Sequence, residues 1–234
     1  MWTARVFTLY PEVFPGPLSK GLYGKALAKK IWNIKVVNIR ESAEDKHKTV
    51  DDTPFGGGKG MLMKADVLSK SLDKNVSKSE RIIYLSPKGK KFDQDIAKEL
   101  SKEKILNLVC GNFEGVDERI LETRNIEEIS IGDYILSGGE SASFVIIDAI
   151  LRLLPGVIGN EESKNEESFE NGLLEYPQYT KPQIWEKKSV PEVLLSGDHA
   201  KIKDWRLSQS KDITRRQRPD LWEKYLNNKK NEKY

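Results

Sequence analysis

The sequence predicts an α/β protein built on a mostly parallel sheet. Two observations carry that expectation. From Ala65 onward, short β-branched or apolar runs alternate with segments whose apolar residues recur at helical spacing, the pattern of strand–helix–strand crossovers. Three successive strand-like runs then end in glycine-bearing loops: Ser86-Pro-Lys-Gly89, Gly111-Asn-Phe-Glu-Gly115, and the stretch from Gly132 to Gly139. Open α/β sheets bind ligands outside the carboxyl ends of their strands.

In chain order, Val6–Leu9 reads as a first strand, 18–30 as a helix (Leu22, Ala26, Leu27, Ile31), and the β-branched run Ile34–Ile39 as a second strand. The polar stretch from Arg40 to Gly60 is too long for a routine connection. The alternation follows: helix 65–72, strand 81–85, helix 93–100, strand 105–110, helix 116–124, strand 126–131 and helix 144–154, closed by Pro155-Gly156. Helical spacing returns at 199–210 and 221–226.

Composition narrows the function classes. The chain has 234 residues, 38% of them hydrophobic, enough for one sizeable core and a smaller second domain. Charged residues reach 32% but the net charge is only +3, so any nucleic-acid surface must lie in the charge distribution. The single cysteine, Cys110, excludes an intramolecular disulfide and reads as a packed apolar residue. No signal-peptide core follows Met1, and no run reaches the roughly 18 apolar residues of a membrane span. A cytoplasmic protein is expected.

Two glycine-rich stretches stand out. Val50–Met61 suggests a phosphate loop, but Lys59 is followed by Gly60 where a Walker motif needs Ser or Thr, and Met61 stands where a dinucleotide fingerprint needs Gly. A backbone-donating loop and a plain surface turn both remain open. Ile129–Glu140 places Gly132, Gly138 and Gly139 among apolar residues, which reads as a backbone cradle, because glycine lets a chain approach a ligand closely.

Composition shifts after Gly159. Residues 160–175 hold six Glu and one Lys, and Asn160–Asn165 has no apolar residue. The expected organisation is a domain over 1–159, a flexible linker over 160–167 and a helical C-terminal domain over 168–234. Residues 197–234 carry eleven Lys/Arg against six Asp/Glu, with Arg215, Arg216 and Arg218 near Trp222 and Tyr225. This suits an RNA surface, and solvated helix faces fit equally. His47 and His199 are isolated, so no metal site is expected from the residues themselves.

Six blocks in order resemble the bacterial tRNA (guanine-N1)-methyltransferases of the SPOUT class. They are His47–Met63, Tyr84–Gly89, Cys110–Arg119, Ser130–Glu140, the segment from Ser168-Phe169 to Tyr179-Thr-Lys-Pro182, and Val190–His199 with Trp205-Arg206. The resemblance implies a SPOUT-type sheet with a deep trefoil knot, a small helical C-terminal domain, and a homodimer with active sites shared between subunits. It implies methyl transfer from S-adenosylmethionine to N1 of the guanosine 3′ of the anticodon, position 37, as a step of tRNA processing. A magnesium requirement is also a family implication.

The same resemblance assigns Tyr84, Leu85, Ser86, Pro87, Gly111, Glu114, Ser130, Ile131, Gly132, Tyr134, Ile135, Leu136, Gly138 and Gly139 to the cofactor. It assigns Asp51, Gly58, Lys59, Lys181, Arg206 and Arg215 to RNA contact. Guanine N1 carries a proton at neutral pH, so a base must remove it while charge builds at O6. By family position the arginine stabilising that charge is Arg152 and the base is Glu167, where the family usually has Asp; neighbouring Glu166 is the rival. Phe55 and Phe113 stand where Tyr is common, and Lys181 where Arg is usual. Three other readings compete. A ribosomal-RNA methyltransferase of the same class is opposed by blocks 47–63 and 190–206; a knotted RNA-binding protein without catalysis rests on Glu167 alone; a nucleotide-phosphate enzyme is opposed by the failed motifs.

Overall fold

A computed structural model describes residues 1–158, 168, 169 and 171–231. The chain divides into two units, Met1–Gly159 and Asn160–Tyr234. The first holds a five-stranded sheet: β1 (Trp2–Thr8), β2 (Trp32–Asn38), β5 (Ile82–Lys91), β6 (Ile105–Cys110) and β7 (Glu127–Ser130). Its order is β2-β1-β6-β5-β7 and every pairing is parallel. Between β2 and β5 a small antiparallel ladder joins β3 (Asp51–Asp52) to β4 (Leu62–Met63). The helices are α1 (Gly21–Ala28), α2 (Ala65–Asn75), α3 (Gln94–Leu100), α4 (Glu118–Thr123) and α5 (Gly139–Leu151).

Side chains alternate faces along a strand, and this sheet buries both of its faces. Trp2, Ala4 and Val6 of β1, Ile83 and Leu85 of β5, and Leu106, Leu108 and Cys110 of β6 join one core with Ile96, Leu100, Ile146 and Ile150. Phe7, Tyr84 and Val109 face the other way, into a second core with Leu68, Leu72, Ile120 and Leu121. Helices α3 and α5 therefore cover one face, and α2 and α4 the other. Two buried faces explain the near-continuous apolar runs of these strands.

The expected strand Val6–Leu9 is in fact Trp2–Thr8. Thr3 and Arg5 break the apolar pattern but are buried all the same. Arg5 donates to Glu80 Oε2 at 2.6 Å and to Asn107 Oδ1 at 2.8 Å, which compensates its desolvation. The helix expected from Phe144 begins five residues earlier, at Gly139, because small residues on its first turn fit tightly against β6. The polar stretch from Arg40 to Gly60 holds most of a 3-10 turn, Ile39–Ser42, and β3.

The second unit carries a hairpin, β8 (Ile184–Trp185) with β9 (Lys188–Ser189), followed by α6 (Glu192–Leu195), α7 (His199–Gln217) and α8 (Pro219–Asn231). Asp198 caps α7 by accepting from Lys201 N–H at 3.1 Å. Helix α7 runs seven residues past the expected Ser210, because polar residues on its solvent face hide its period from the sequence.

Candidate active site

The loops after β6 and β7 and the Ser86–Gly89 segment are held together by backbone contacts. The strand expected to stop at Leu85 runs on to Lys91, so 86–89 is a bulge within β5 and not a loop at its end. Leu85 and Lys90 both pair with Ile129, so Ser86–Gly89 bulge out of the ladder and β5 then rejoins it. Ser86 Oγ accepts from Lys88 N–H at 3.2 Å inside the bulge, while Pro87 is exposed. Gly89 lies so close to β7 that a Cβ there would collide with Glu128 and Ile129 backbone. Phe92 N–H donates to the Ser130 carbonyl at 2.7 Å.

The loop after β6 meets the start of α5, where Gly139 N–H donates to the Gly111 carbonyl at 2.8 Å. A Cβ on Gly139 would stand 2.6 Å from Cys110 Cα, and one on Gly111 would stand 2.6 Å from the Tyr84 hydroxyl. Tyr84 is buried beneath this loop. Burial pushes its phenol up to about 12, with the Glu128 charge adding to the shift. Tyr84 and Leu85, both assigned to the cofactor, send their side chains into the two cores, which leaves their backbone for a ligand.

In the third loop Ser130 Oγ donates to the Gly132 carbonyl at 3.1 Å and accepts from Gly132 N–H at 3.2 Å. Gly132 has φ +151°, a value side chains rarely adopt, and a Cβ there would meet the Tyr134 ring. Ile131 packs against the first core. Tyr134, Ile135 and Leu136 are 54%, 80% and 41% exposed, an apolar surface on the same loop. Burial pushes the Cys110 thiol well up, which keeps it an inert packing residue.

The ladder of β3 and β4 abuts these loops. Glu114 N–H donates to the Met61 carbonyl and Met63 N–H to the Gly115 carbonyl, each at 2.9 Å. A Cβ on Gly60 would collide with the Glu114 side chain. Asp51, on β3, together with Gly58 and exposed Lys59, therefore belongs to a segment bonded to the loop after β6. Lys181, Arg206 and Arg215 belong to the second unit. There the Arg206 guanidinium lies 4.7 Å from the Tyr176 ring centroid, and Arg215 is exposed on α7.

Arg152 is not brought to these loops within one chain. It caps the far end of α5 from Gly139, about 20 Å away by helical rise. Its charge bears on Tyr23, whose hydroxyl donates to Asp148 Oδ1 at 2.7 Å. Glu167 and Glu166 lie outside the described residues. The residues just after them are anchored: Ser168 Oγ accepts from Glu175 N–H at 3.0 Å, and Leu174 N–H donates to Thr214 Oγ1 of α7 at 2.8 Å.

Reading the loops as a backbone cradle overlooked Glu140. Its Oε1 accepts from Thr8 Oγ1 at 2.6 Å and from Asn112 Nδ2 at 3.2 Å. The signal was its place directly after Gly138-Gly139; its distant partner Thr8 was not legible. A cavity of about 350 Å³ lined by Val36, Asn38, Glu41 and Lys74, among others, opens at the opposite edge of the sheet and contains none of the assigned residues. Among the described residues no three His, Cys, Asp or Glu side chains are grouped to hold a metal ion, and no helix is long and apolar enough to cross a membrane.

A parallel sheet whose three adjacent strands β6, β5 and β7 carry glycine-bearing loops in mutual backbone contact defines an α/β protein with a backbone-lined cradle. The chain belongs to the tRNA (Guanine-1)-methyltransferase TrmD family, whose sequence model matches residues 1–224. It is 77% identical to the tRNA (guanine-N(1)-)-methyltransferase of Pelagibacter ubique (strain HTCC1062) over 228 residues, covering 97% of this chain and 100% of that protein. It is 55% identical over 227 residues to proteins of the same description from Brucella canis (strain ATCC 23365 / NCTC 10854 / RM-666), covering 97% of this chain and 93% of that protein, and from Brucella ovis (strain ATCC 25840 / 63/290 / NCTC 10512), covering 97% and 94%.

Proposed function

We propose that the chain methylates N1 of the guanosine 3′ of the anticodon in tRNA, position 37, using S-adenosylmethionine. The observation that carries this reading is the convergence of the loops at 86–89, 111–115 and 130–139 within a chain of this family. When bound, S-adenosylmethionine supplies an electrophilic methyl group on a sulfonium centre. The residues present fit such a group. Glycine backbone at Gly111, Gly132 and Gly139 lets the loops be approached closely, and exposed Tyr134, Ile135 and Leu136 offer apolar surface for a flat ring.

The protein's own task is to align guanine and move one proton. In this reading the Glu167 carboxylate takes the N1 proton, and the Arg152 guanidinium neutralises charge at O6. The separation of Arg152 from Gly139 along α5 supports a homodimer in which one subunit's cradle works with the other's Arg152 and Glu167. No step is assigned to magnesium. A cytoplasmic location follows from the substrate. The trefoil knot belongs to the same reading; stretching the unfolded chain by its ends would leave a contour shorter than that of an unknotted chain of equal length.

The test is transfer of labelled methyl from S-adenosylmethionine to two tRNA transcripts, one with guanosine and one with adenosine at position 37. Label recovered as 1-methylguanosine from the first transcript alone is the expected result. Binding of both ligands without transfer would overturn the reading in favour of an RNA-binding protein that has lost catalysis.

A further inference from the structure

We propose that Glu140 is the positioning residue that locks the cradle in its ligand-ready form, an inference that rests on the reading of this site as the S-adenosylmethionine site. One carboxylate joins three elements that the sequence keeps far apart. Thr8 Oγ1, at the carboxyl end of β1, donates to Glu140 Oε1 at 2.6 Å. Asn112 Nδ2, in the loop after β6, donates to the same oxygen at 3.2 Å. Glu140 itself lies on the first turn of α5.

Each partner is fixed in turn. Thr8 is fully buried, and its hydroxyl oxygen accepts from Tyr10 N–H at 2.9 Å. Asn112 is buried, and its N–H points to Met63 Sδ at 3.4 Å. Ser143 Oγ donates to the Glu140 carbonyl at 2.7 Å. The adjacent glycine completes the device. Gly138 has φ −171°, ordinary extended backbone, so its conformation does not require glycine. Clearance does: a Cβ there would stand 2.6 Å from Glu140 Oε2 and 2.7 Å from Asn112 Oδ1. The Gly138 backbone thus rests directly on the Glu140–Asn112 pair, and the 2.8 Å hydrogen bond from Gly139 to Gly111 lies beside it. Removing the carboxylate leaves the Thr8 and Asn112 donors without their acceptor and frees the Gly138 turn to move. Glu140 touches no reacting atom in this scheme; it acts through Asn112, Gly138 and Gly139.

The test uses full-length protein and three variants, E140A, E140Q and T8V. Calorimetric titration with S-adenosylmethionine measures Kd, and amide hydrogen exchange of the ligand-free protein measures the mobility of 108–113 and 138–143. E140A is expected to bind about tenfold more weakly and to exchange faster in those two segments, with the KM for tRNA unchanged. E140Q keeps an acceptor oxygen and is expected to restore most of both. T8V, nearly isosteric in a buried strand, should fall between them. Wild-type affinity and exchange in E140A, or an E140Q as impaired as E140A, would overturn the inference. A wild-type protein that does not bind S-adenosylmethionine at all would instead overturn the reading of the site.

Discussion

Gly139 opens the 13-residue helix α5 and Arg152 caps its other end, about 20 Å away. No side chain spans that distance, so in the proposed reading the arginine acting at the cradle is a second subunit's Arg152. Mixing two inactive variants tests this. Leu136→Asp places a charge on the exposed apolar loop, and Arg152→Ala removes the guanidinium; both residues are exposed. Re-equilibrated heterodimers would pair one intact cradle with one intact arginine, and about a quarter of wild-type turnover should return. If turnover stays at the level of the separate variants, the site is not shared.

The base assignment has its own comparison. Glu167→Gln is expected to lower turnover about a thousandfold while leaving S-adenosylmethionine affinity unchanged. Glu166→Gln should turn over nearly normally. Single-turnover rates with both ligands saturating separate the two, and the reverse pattern would make Glu166 the base.

Backbone crowding at the cradle predicts steep sensitivity to a single methyl group. Gly89→Ala would drive a Cβ into Glu128 and Ile129, and Gly139→Ala would drive one against Cys110 Cα. Each should cost about 1–3 kcal/mol, read as a lower urea midpoint with unchanged slope. Gly56→Ala has open space around it, and its φ of +86° confines the cost to about 1 kcal/mol of local strain.

Acid should weaken the sheet through one carboxylate. Burial pushes Glu80 up, but hydrogen bonds from Asn107 and Arg5 and the Arg5 charge outweigh it and hold the group below its ordinary value. A depressed carboxylate stabilises the fold above its unfolded value, about 4.3, and that contribution is lost as pH falls through the folded value. Denaturant titrations from pH 6 to pH 3, taken as round working limits about the carboxylate range, should show this loss, and Glu80→Gln should flatten it. The same variant strands Arg5, which is buried, and should cost about 3 kcal/mol at neutral pH.

Five strands and their helices were legible because a sheet buried on both faces needs apolar runs, which β5 and β6 supply at Ile82–Leu85 and Ile105–Cys110, while β2 and β7 were marked by apolar residues at strand spacing. Strand β1 was misjudged at Thr3 and at Arg5, whose guanidinium is compensated by Glu80 and Asn107, more than 70 residues further along the chain. The strand order was not legible for the same reason: β1 pairs with β6 across a gap filled by β2 and β5. Glycine spacing pointed to the cradle, since close approach leaves a compositional trace. Glu140 left only its place after Gly138-Gly139, because a carboxylate acting through the distant Thr8 looks like any charge on the first turn of a helix.

The paired bonds of Met61 and Met63 with Glu114 and Gly115 give the two glycine-rich segments a common thermodynamic fate. A ligand that quenches motion in one segment lowers the entropy left to lose in the other. If one segment holds the methyl donor and the other RNA, as proposed, the two affinities are linked, and by reciprocity each ligand changes the other's affinity by the same factor. On this view the order in which methyl donor and nucleic acid arrive is a matter of kinetics alone, since the free energy of the ternary complex is the same by either route.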